Sequence, residues 1–362
     1  MAAVERVLWS GWLTTGEEAL ALERELCDYT GMTHAVAVSS CTAAIEIAYA
    51  ALRLPVGARL GVPTWTFASS ALAPHHHGAV PVLLDVEPET LNASMASLEA
   101  ALEEGLDAVV LVHFGGVPVR KELLALCAEA SVPVIEDAAH ALGASDHRGR
   151  ALGSGTVGAC LSFYATKNLT SGEGGALLTD DDEVATFARS FRLHGMSKDA
   201  WDRYRPGRFA QYDLIGPGIK ANLPDLLAAL ARTQLARFET LQARRRALVE
   251  RYRSNLVGLE RVGVVPGELE PGSADHLLVV VLAEGVDRQE VIGGLADRGV
   301  ATSVHFQPLH RFRWFRDNAE LGPSGVIGAE SMADRVMSLP LSPALTEAQV
   351  DRVCEELEEV LR

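Results

Sequence analysis

Residues 132–140 read Val-Pro-Val-Ile-Glu-Asp-Ala-Ala-His, an apolar run that ends on two carboxylates. The apolar part predicts a strand that is buried on both faces, as in a parallel sheet covered by helices. Ligands of open α/β sheets bind at the carboxyl ends of the strands, where Asp137 lies. Its carboxylate could hold a protonated ring nitrogen of a ligand or could cap the following turn, and this segment alone leaves both alternatives open.

The segments on either side of this strand alternate between short apolar runs and helical stretches. Strands are predicted at Ala35–Val38, Pro81–Asp85, Ala108–Val112 and Ala176–Thr179, and helices at Thr42–Leu52 and Val119–Glu129. Strands that alternate with helices indicate a mostly parallel central sheet with crossover helices on its faces. The predicted fold class is therefore α/β.

The pattern changes in the last third of the chain. A long charged helix is predicted over Thr233–Arg253, and we interpret its run Arg244–Arg246 as a solvated helix face rather than a phosphate patch. Beyond it, strands are predicted at His276–Leu282 and Ala301–His305, and helices at Arg288–Asp297 and Glu347–Leu361. This mixture indicates a smaller α+β domain. We expect a large domain over residues 1–240 and a small domain over residues 241–362.

Composition and charge exclude several classes of protein. The 362 residues are 48% hydrophobic and 22% charged, which is typical of a globular chain with a full core. A net charge of −16 argues against nucleic-acid and anionic-membrane partners. Five cysteines without CxxC spacing indicate free thiols and no structural zinc. Because neither a signal peptide nor a membrane-spanning run is apparent, we expect a cytoplasmic protein.

Three further segments carry candidate ligand chemistry. The hydroxyl residues of Ser39–Ala44 precede a predicted helix and could bind an anion, or could simply cap the helix. Lys167 lies between an apolar strand and the glycine-rich Ser171–Gly175; burial there would lower its pKa and suit it to Schiff-base chemistry, whereas a surface lysine is the alternative. The aromatic residues of Val62–Phe67 could stack on a flat ligand or belong to the core. Together with Asp137, these segments indicate a site for a phosphorylated aromatic aldehyde.

The run His75–His77 raises the separate question of a metal site. Consecutive imidazoles can bind metal, but three consecutive positions do not share one face of a helix. No carboxylate or further histidine follows at the spacing of a metal motif. We therefore expect the end of a helix or a loop at this position, and no metal cofactor.

The chain resembles the DegT/DnrJ/StrS sugar aminotransferases, which are fold-type-I enzymes dependent on pyridoxal 5'-phosphate (PLP). The resemblance extends from Ser10–Gly16 to Val304–His310, nearly the whole chain. Its strongest motifs are Glu136–His140, Phe163–Asn168, Gly172–Gly175 and Gly218–Leu223. It implies a large PLP-binding domain, with a mostly parallel central sheet flanked by helices, and a smaller C-terminal α+β domain.

The resemblance also implies catalytic roles, position by position. Lys167 corresponds to the lysine that forms a Schiff base with PLP, and Asp137 to the partner of the protonated ring nitrogen. His140 corresponds to a residue near the phenolic oxygen of the cofactor, and Phe67 to the aromatic residue that stacks on its ring. The implied reaction takes an amino group from L-glutamate onto the cofactor, as pyridoxamine phosphate, and passes it to a keto sugar.

The implied cradle for the cofactor phosphate comprises residues of two subunits. Cys41, Thr42 and Ser162 correspond to its positions within one chain, although Cys41 replaces the usual glycine and its Cβ restricts the backbone slightly. In the family, the partner subunit completes the cradle from the segment that holds Lys220 and Asn222. Which of these two contacts the phosphate is left open. A homodimer with shared active sites is implied.

The expected acceptor is a nucleotide-linked 4-keto sugar aminated at C-4, as suggested by Lys220, Asn222 and the segment His194–Trp201. Nearby cations could bind the diphosphate or form a solvated loop: Lys198, Arg203, Arg205 and Arg208. The first alternative is a keto-cyclitol aminotransferase of the scyllo-inosose type, which would use the same cofactor residues. A PLP-dependent sugar dehydratase is a weaker alternative, because such family members carry histidine in place of Lys167. A non-catalytic regulatory protein is weaker still.

Overall fold

A computed structural model describes residues 2–145, 151–197, 212–268 and 272–362. Its strands form one sheet of eight and one sheet of three within these ranges. Four cations considered as diphosphate ligands lie outside the described residues: Lys198, Arg203, Arg205 and Arg208. The architecture below is therefore that of the four described ranges.

The large sheet contains seven strands from the first half of the chain. They are β1 (His34–Val38), β2 (Arg59–Pro63), β3 (Val80–Leu84), β4 (Ala108–Val112), β5 (Val134–Asp137), β6 (Gly158–Ser162) and β7 (Gly175–Thr179). The later strands are β8 (Val262–Val265), β9 (Leu278–Leu282), β10 (Glu320–Leu321) and β11 (Val336–Leu339). The order in the large sheet is β1-β7-β6-β5-β4-β2-β3-β10, and β7 alone among these strands runs antiparallel to its neighbours. The prediction of a mostly parallel central sheet is confirmed.

Helices cover both faces of this sheet. The described helices are α1 (Ala2–Ser10), α2 (Glu17–Thr30), α3 (Cys41–Ala51), α4 (Ser69–His75), α5 (Met95–Glu104), α6 (Lys121–Glu129), α7 (Asp182–Phe191), α8 (Asp225–Leu235), α9 (Phe238–Leu256), α10 (Arg288–Asp297), α11 (Arg313–Asn318), α12 (Ile327–Met332) and α13 (Glu347–Leu361). Val110 packs in the cluster that contains α3, whereas the next residue, Leu111, packs in the cluster that contains α5 and α6. Because successive strand residues point to opposite faces, both faces are buried, which explains the uninterrupted apolar strands.

The small sheet, in the order β11-β9-β8, is antiparallel and packs against α9, α10 and α13. The chain beyond residue 241 is not confined to this sheet, because β10 pairs with β3 in the large one. α9 spans residue 240: Phe238 at its start packs beneath the large sheet, and Leu248 packs beneath the small one. A domain boundary near residue 240 therefore remains a prediction.

The predicted single helix Thr233–Arg253 is wrong, because the chain forms two helices there. α8 ends at Leu235 and α9 begins at Phe238, since Arg237 leaves the helical region with φ −121° and ψ 12°. The interpretation of Arg244–Arg246 as a solvated face is also wrong for Arg245, which is only 5% exposed. Its guanidinium points inward, toward the backbone carbonyls of His276 and Leu341. Three consecutive arginines gave no indication in the sequence that the middle one is buried against these carbonyls.

The predicted strand Ala301–His305 is wrong as well. Only Ser303 pairs, exchanging backbone hydrogen bonds of 3.1 and 2.7 Å with Ser338 of β11. The carbonyl of His305 instead accepts a hydrogen bond from the indole of Trp65, at the end of β2. This hydrogen bond to the segment after β2 lies where the predicted strand would have continued.

The run His75–His77 lies at the end of α4 and makes protein contacts. The imidazole Nδ1 of His75 is 2.9 Å from the Ala79 carbonyl, and Nε2 of His77 is 3.1 Å from Oε1 of Glu46. The described residues hold no group of three or more potential metal ligands. Across the same described ranges, no helix combines the length and apolar character needed to cross a membrane.

Candidate active site

A cavity of about 370 Å³ opens where the parallel strands β2, β4, β5 and β6 end. Because the carboxyl ends of parallel strands meet at one edge of a sheet, residues distant in sequence converge there. The cavity is lined by seven of the predicted site residues, namely Cys41, Thr42, Phe67, Asp137, His140, Ser162 and Lys167. The fold therefore gathers most of the predicted site at one place.

Asp137 ends β5 and is 4% exposed. Its Oδ1 accepts a hydrogen bond of 3.1 Å from the Ala139 amide, and its Oδ2 accepts one of 2.6 Å from the Ser70 hydroxyl. Donors on both oxygens hold the carboxylate in one orientation at the floor of the cavity. Such a fixed carboxylate suits a ligand that carries a protonated nitrogen.

The start of α3 forms one wall of the cavity. Ser40 caps this helix by accepting a hydrogen bond of 3.1 Å from the Ala43 amide. The first amides of a helix have no partner within it, so those that the cap leaves unbound can bind an anion. A Cβ on Gly175 would lie 2.7 Å from the Cys41 nitrogen, so only glycine permits β7 to approach this turn. Thr42 and Ser162 line the same end of the cavity.

Cys41 contributes to this wall through its backbone rather than its thiol. The Sγ atom lies 3.2 Å from the Cys160 carbonyl and 3.7 Å from Oδ1 of Asp137. Burial, reinforced by the Asp137 carboxylate, raises the pKa of the Cys41 thiol well above its usual range. The neutral thiol can therefore donate toward these oxygens, and the cysteine is accommodated where the family usually has glycine.

Lys167 lies in the loop after β6, where its amide donates a hydrogen bond of 3.0 Å to the Tyr164 carbonyl. Burial of the side chain lowers its pKa, and the nearby carboxylate of Asp137 partly opposes this change. A lowered pKa increases the fraction of neutral amine at a given pH. A neutral amine in a cavity can act as a nucleophile or as a base.

His140 is held as a neutral ring. Its Nδ1 accepts a hydrogen bond of 3.2 Å from the Gly115 amide, so the proton of the neutral ring is on Nε2. Burial lowers the pKa of His140 well below its ordinary value, with a smaller contribution from the charge of Lys167. The ring therefore offers an N–H donor to the cavity.

Sequence reasoning missed His276, which reaches the cavity from the segment before β9. Its Nδ1 lies 2.8 Å from Oδ1 of Asn168, the residue after Lys167. The amide group of Asn168 donates to the carbonyl of Ala274 and to Oε1 of Gln242, so its oxygen faces the imidazole. Nδ1 of His276 is therefore the donor, and Nε2 is left as an acceptor. The sequence signal that pointed toward this contact was the position of Asn168 directly after Lys167.

Two aromatic residues lie on the opposite wall. Phe67 is 60% exposed, and its ring centroid is 5.7 Å from that of Phe306. Phe306 lines the cavity and belongs to the segment Val304–His310 of the family resemblance. Trp65, by contrast, is fully buried and belongs to the core. Phe67 is thus available to stack on a flat ligand.

Lys220 and Asn222 lie beside the end of β1 and are not among the described residues that line this cavity. The Lys220 ammonium donates to Oδ1 of Asn222, whose amide group donates to the Thr15 hydroxyl at 2.6 Å. The Ser39 amide binds the Ala221 carbonyl at 2.7 Å. A contact between either side chain and the cavity of another subunit remains a prediction.

The cavity suits one kind of ligand. Free helix amides lie at one end, a fixed carboxylate at the floor, a lysine of lowered pKa at the wall and an exposed aromatic ring above. These features fit, in turn, a phosphate, a pyridine nitrogen, an aldehyde and a flat ring. An α/β sheet with this site at its carboxyl edge defines a PLP-dependent enzyme.

The family profile of the DegT/DnrJ/EryC1/StrS aminotransferases matches residues 1–358. The chain therefore belongs to this family and is a PLP-dependent sugar aminotransferase. PLP is the cofactor of the family, as structures of its members in PLP and pyridoxamine phosphate (PMP) forms illustrate.

Solved structures agree with this assignment over the full chain. DesV of S. venezuelae is 32% identical, with a TM-score of 0.89 over 100% of this chain and 94% of that one. A putative sugar aminotransferase from Streptococcus pneumoniae, Spr1654 in its PMP form, is 29% identical, with a TM-score of 0.90 over 99% and 95%. DesI, crystallised in the presence of its TDP-sugar product, is 28% identical, with a TM-score of 0.87 over 99% and 88%.

The two buried imidazoles predict how stability depends on pH. Burial lowers the pKa of both His140 and His276 well below the ordinary value, so the folded protein keeps them neutral. The unfolded chain protonates them below about pH 6.5. The free energy of unfolding of the apoprotein should therefore fall with decreasing pH, by up to ~1.4 kcal/mol per pH unit for each histidine.

Urea unfolding between about pH 7 and about pH 5 measures this slope. His276→Asn should reduce it, because one of the two protonation sites is then absent from both states. The matched control is His76→Asn at an exposed position of the histidine run, which should leave the slope unchanged. An unaltered slope in the His276 variant would show that the folded protein does not exclude this proton.

Proposed function

We propose that this enzyme transfers an amino group from L-glutamate to the C-4 keto group of a nucleotide-linked sugar. The main observation that supports this proposal is that Lys167 and Asp137 line one cavity in a member of a sugar aminotransferase family. Nucleotide linkage is supported by the likeness to DesI, whose structure was determined in the presence of its TDP-sugar product. We place the reaction in the cytoplasm, which is supported by the five free thiols.

Each residue of the cavity has a separate role in the proposed reaction. Bound PLP would supply an electrophilic carbonyl and a ring that accepts electrons from the substrate carbon. Asp137 would hold the proton on the ring nitrogen, and the amine of Lys167 would move a proton at the reacting carbon. The Nε2–H of His140 would donate to the phenolic oxygen, while Phe67 would cover one face of the ring and exclude water. The first amides of α3, with Thr42 and Ser162, would bind the phosphate.

The acceptor nitrogen of His276 fits this assignment. A keto sugar carries hydroxyl groups beside its carbonyl, and each hydroxyl can donate one hydrogen bond. Nε2 of His276 is kept unprotonated by burial and by the bond from Nδ1–H to Asn168. It can therefore accept a hydrogen bond from a substrate hydroxyl.

A homodimer with shared active sites is part of this proposal. Large apolar side chains are exposed near the N-terminus, namely Leu8, Trp9 and Leu13, and a further exposed pair is Leu214 and Ile215. Exposed apolar groups of this size are typical of surfaces that another chain covers. Lys220 and Asn222 flank Ala221, whose carbonyl accepts a hydrogen bond from the Ser39 amide, and in this proposal they reach the cavity of a second subunit.

Replacement of the two polar residues tests the shared site. We expect Lys220→Ala or Asn222→Ala to raise the Kd for PLP by about 10-fold or more, because a charge-assisted hydrogen bond to phosphate is lost. Equilibrium dialysis measures the Kd, and sedimentation of the same samples reports the oligomeric state. Lys121→Ala, on the exposed side of α6, is the control and should bind PLP normally. A monomer that is saturated with PLP and fully active would contradict the shared site.

The donor and the acceptor are tested separately. PLP-loaded enzyme is incubated with L-glutamate or L-glutamine, and the released keto acid is measured. The aminated enzyme then receives a TDP-4-keto sugar or a keto-inositol, and mass spectrometry detects the amino product. We expect keto-acid release with glutamate and amination of the nucleotide sugar.

A binding measurement also distinguishes a nucleotide-linked sugar from a cyclitol as the acceptor. Because a ligand selective for the native state raises its melting temperature, thymidine diphosphate should stabilise the enzyme. Amination of keto-inositol alone, without stabilisation by the nucleotide, would replace the proposed acceptor with a cyclitol. Release of keto acid from glutamine alone would replace the proposed donor.

A further inference from the structure

Two buried hydroxyl groups, those of Thr66 and Ser70, form a hydrogen-bonded line that ends on the Asp137 carboxylate. Oγ of Ser70 lies 2.6 Å from Oδ2 of Asp137, and Oγ1 of Thr66 lies 2.7 Å from Oγ of Ser70. Ser70 is 0% exposed and Thr66 is 2% exposed. Neither residue is among the site residues that the sequence predicted.

The direction of these bonds follows from the donors and acceptors available. A hydroxyl has a single proton, and a carboxylate oxygen can only accept. Ser70 also lies 3.1 Å from the Phe67 carbonyl, but its shorter contact is to the carboxylate. Ser70 therefore donates to Asp137, and Thr66 donates to Ser70. A hydroxyl that accepts a bond becomes a better donor, so the line strengthens the contact to the carboxylate.

The line also joins two walls of the site. Thr66 and Ser70 flank Phe67, and Ser70 lies in the first turn of α4. The opposite oxygen of Asp137 is held by the Ala139 amide of its own segment. The turn that presents the exposed aromatic ring of Phe67 thus also restrains the Asp137 carboxylate.

We propose that Ser70, supported by Thr66, is a positioning residue that holds the Asp137 carboxylate in the orientation that binds the pyridine nitrogen of PLP. This role rests on the proposed role of Asp137. Without the Ser70 hydroxyl, Oδ2 of Asp137 would lose its short buried donor, and the carboxylate could rotate away from the ligand. Loss of this hydroxyl should then weaken the binding of ligands that carry the ring nitrogen and leave the binding of ligands that lack it unchanged.

The experiment compares the binding of two ligands to the full-length apoenzyme. One is PLP, and the other is its deaza analogue, in which a CH group replaces the pyridine nitrogen. We expect Ser70→Ala to weaken the binding of PLP about 10-fold while changing the binding of the analogue less than about 2-fold. Ser70→Thr keeps the hydroxyl and should restore PLP binding. Thr66→Val leaves the Ser70 contact in place and should cause a smaller loss of the same kind.

Thermal unfolding of each apoenzyme variant shows that it is folded before binding is measured. Equal weakening of both ligands by Ser70→Ala would overturn the positioning role, because the serine would then only support the local structure. Asp137→Asn is measured with the same two ligands to separate the two proposals. If it also fails to distinguish PLP from the analogue, the proposed role of Asp137 is wrong; if it distinguishes them and Ser70→Ala does not, only the role of Ser70 is wrong.

Discussion

Lys167→Ala is expected to lower the rate of amino transfer by at least about 10³-fold, because the cavity then lacks its only amine among the described residues that line it. Burial lowers the pKa of the Lys167 amine, and water replaces its proton transfer poorly. Steady-state turnover with L-glutamate and a keto-sugar acceptor measures the loss. In the wild-type protein, borohydride reduction after PLP loading should attach the cofactor to the peptide that contains Lys167.

Binding and activity should separate in this variant. The amides of α3 and the carboxylate of Asp137 are unaffected by the substitution, so Lys167→Ala should still bind PLP without a covalent link. The matched control is Lys121→Ala, an exposed lysine of α6, which should keep full turnover and normal covalent attachment. Retention of full turnover by the Lys167 variant would refute its assignment as the catalytic amine.

Asp137→Asn is expected to slow amino transfer by about 10²- to 10³-fold, the usual cost of removing one fixed electrostatic group from an active site. Asparagine keeps the size of the side chain and can still accept a hydrogen bond from Ser70 or Ala139. The charge that would hold the proton on the ring nitrogen is lost. Rapid mixing of the PLP-loaded variant with L-glutamate measures the rate of the donor half-reaction directly.

The control for Asp137 is Asp317→Asn, a carboxylate on the exposed surface of α11. It removes the same charge from the protein without touching the cavity, and its rate should equal that of the wild type. Urea unfolding of both variants checks that the slow rate does not reflect partial unfolding. A near-normal rate in Asp137→Asn would mean that another group keeps the ring nitrogen protonated.

Much of the fold could be predicted because its signals are local. β4 occurs at the predicted residues Ala108–Val112, and α13 at the predicted Glu347–Leu361. Apolar runs of strand length and amphipathic runs of helix length identify such elements without knowledge of their neighbours. The candidate site could be predicted for a related reason: Asp137 ends one strand, Lys167 lies in the loop after the next strand, and the ends of parallel strands converge.

The errors arose where contacts between distant segments outweighed local pattern. The segment Ala301–His305 was predicted to form a strand, but Ser303 alone pairs, and the His305 carbonyl accepts a hydrogen bond from Trp65. The helix predicted over Thr233–Arg253 breaks at Arg237, where two packed helices diverge toward different sheets. Propensity is a weak prior in both cases, and tertiary packing decides.

The sequence by itself determined the α/β class, the family and the candidate cofactor residues, because strand-end positions and short motifs are properties of neighbouring residues. Only the tertiary structure decided which other side chains lie beside these cofactor residues. His276 enters the cavity through Asn168, more than a hundred residues earlier, and Ser70 reaches Asp137 across 67 positions. Such contacts depend on how the sheet and helices pack, and a single buried donor can be recognised only when its distant acceptor is in place.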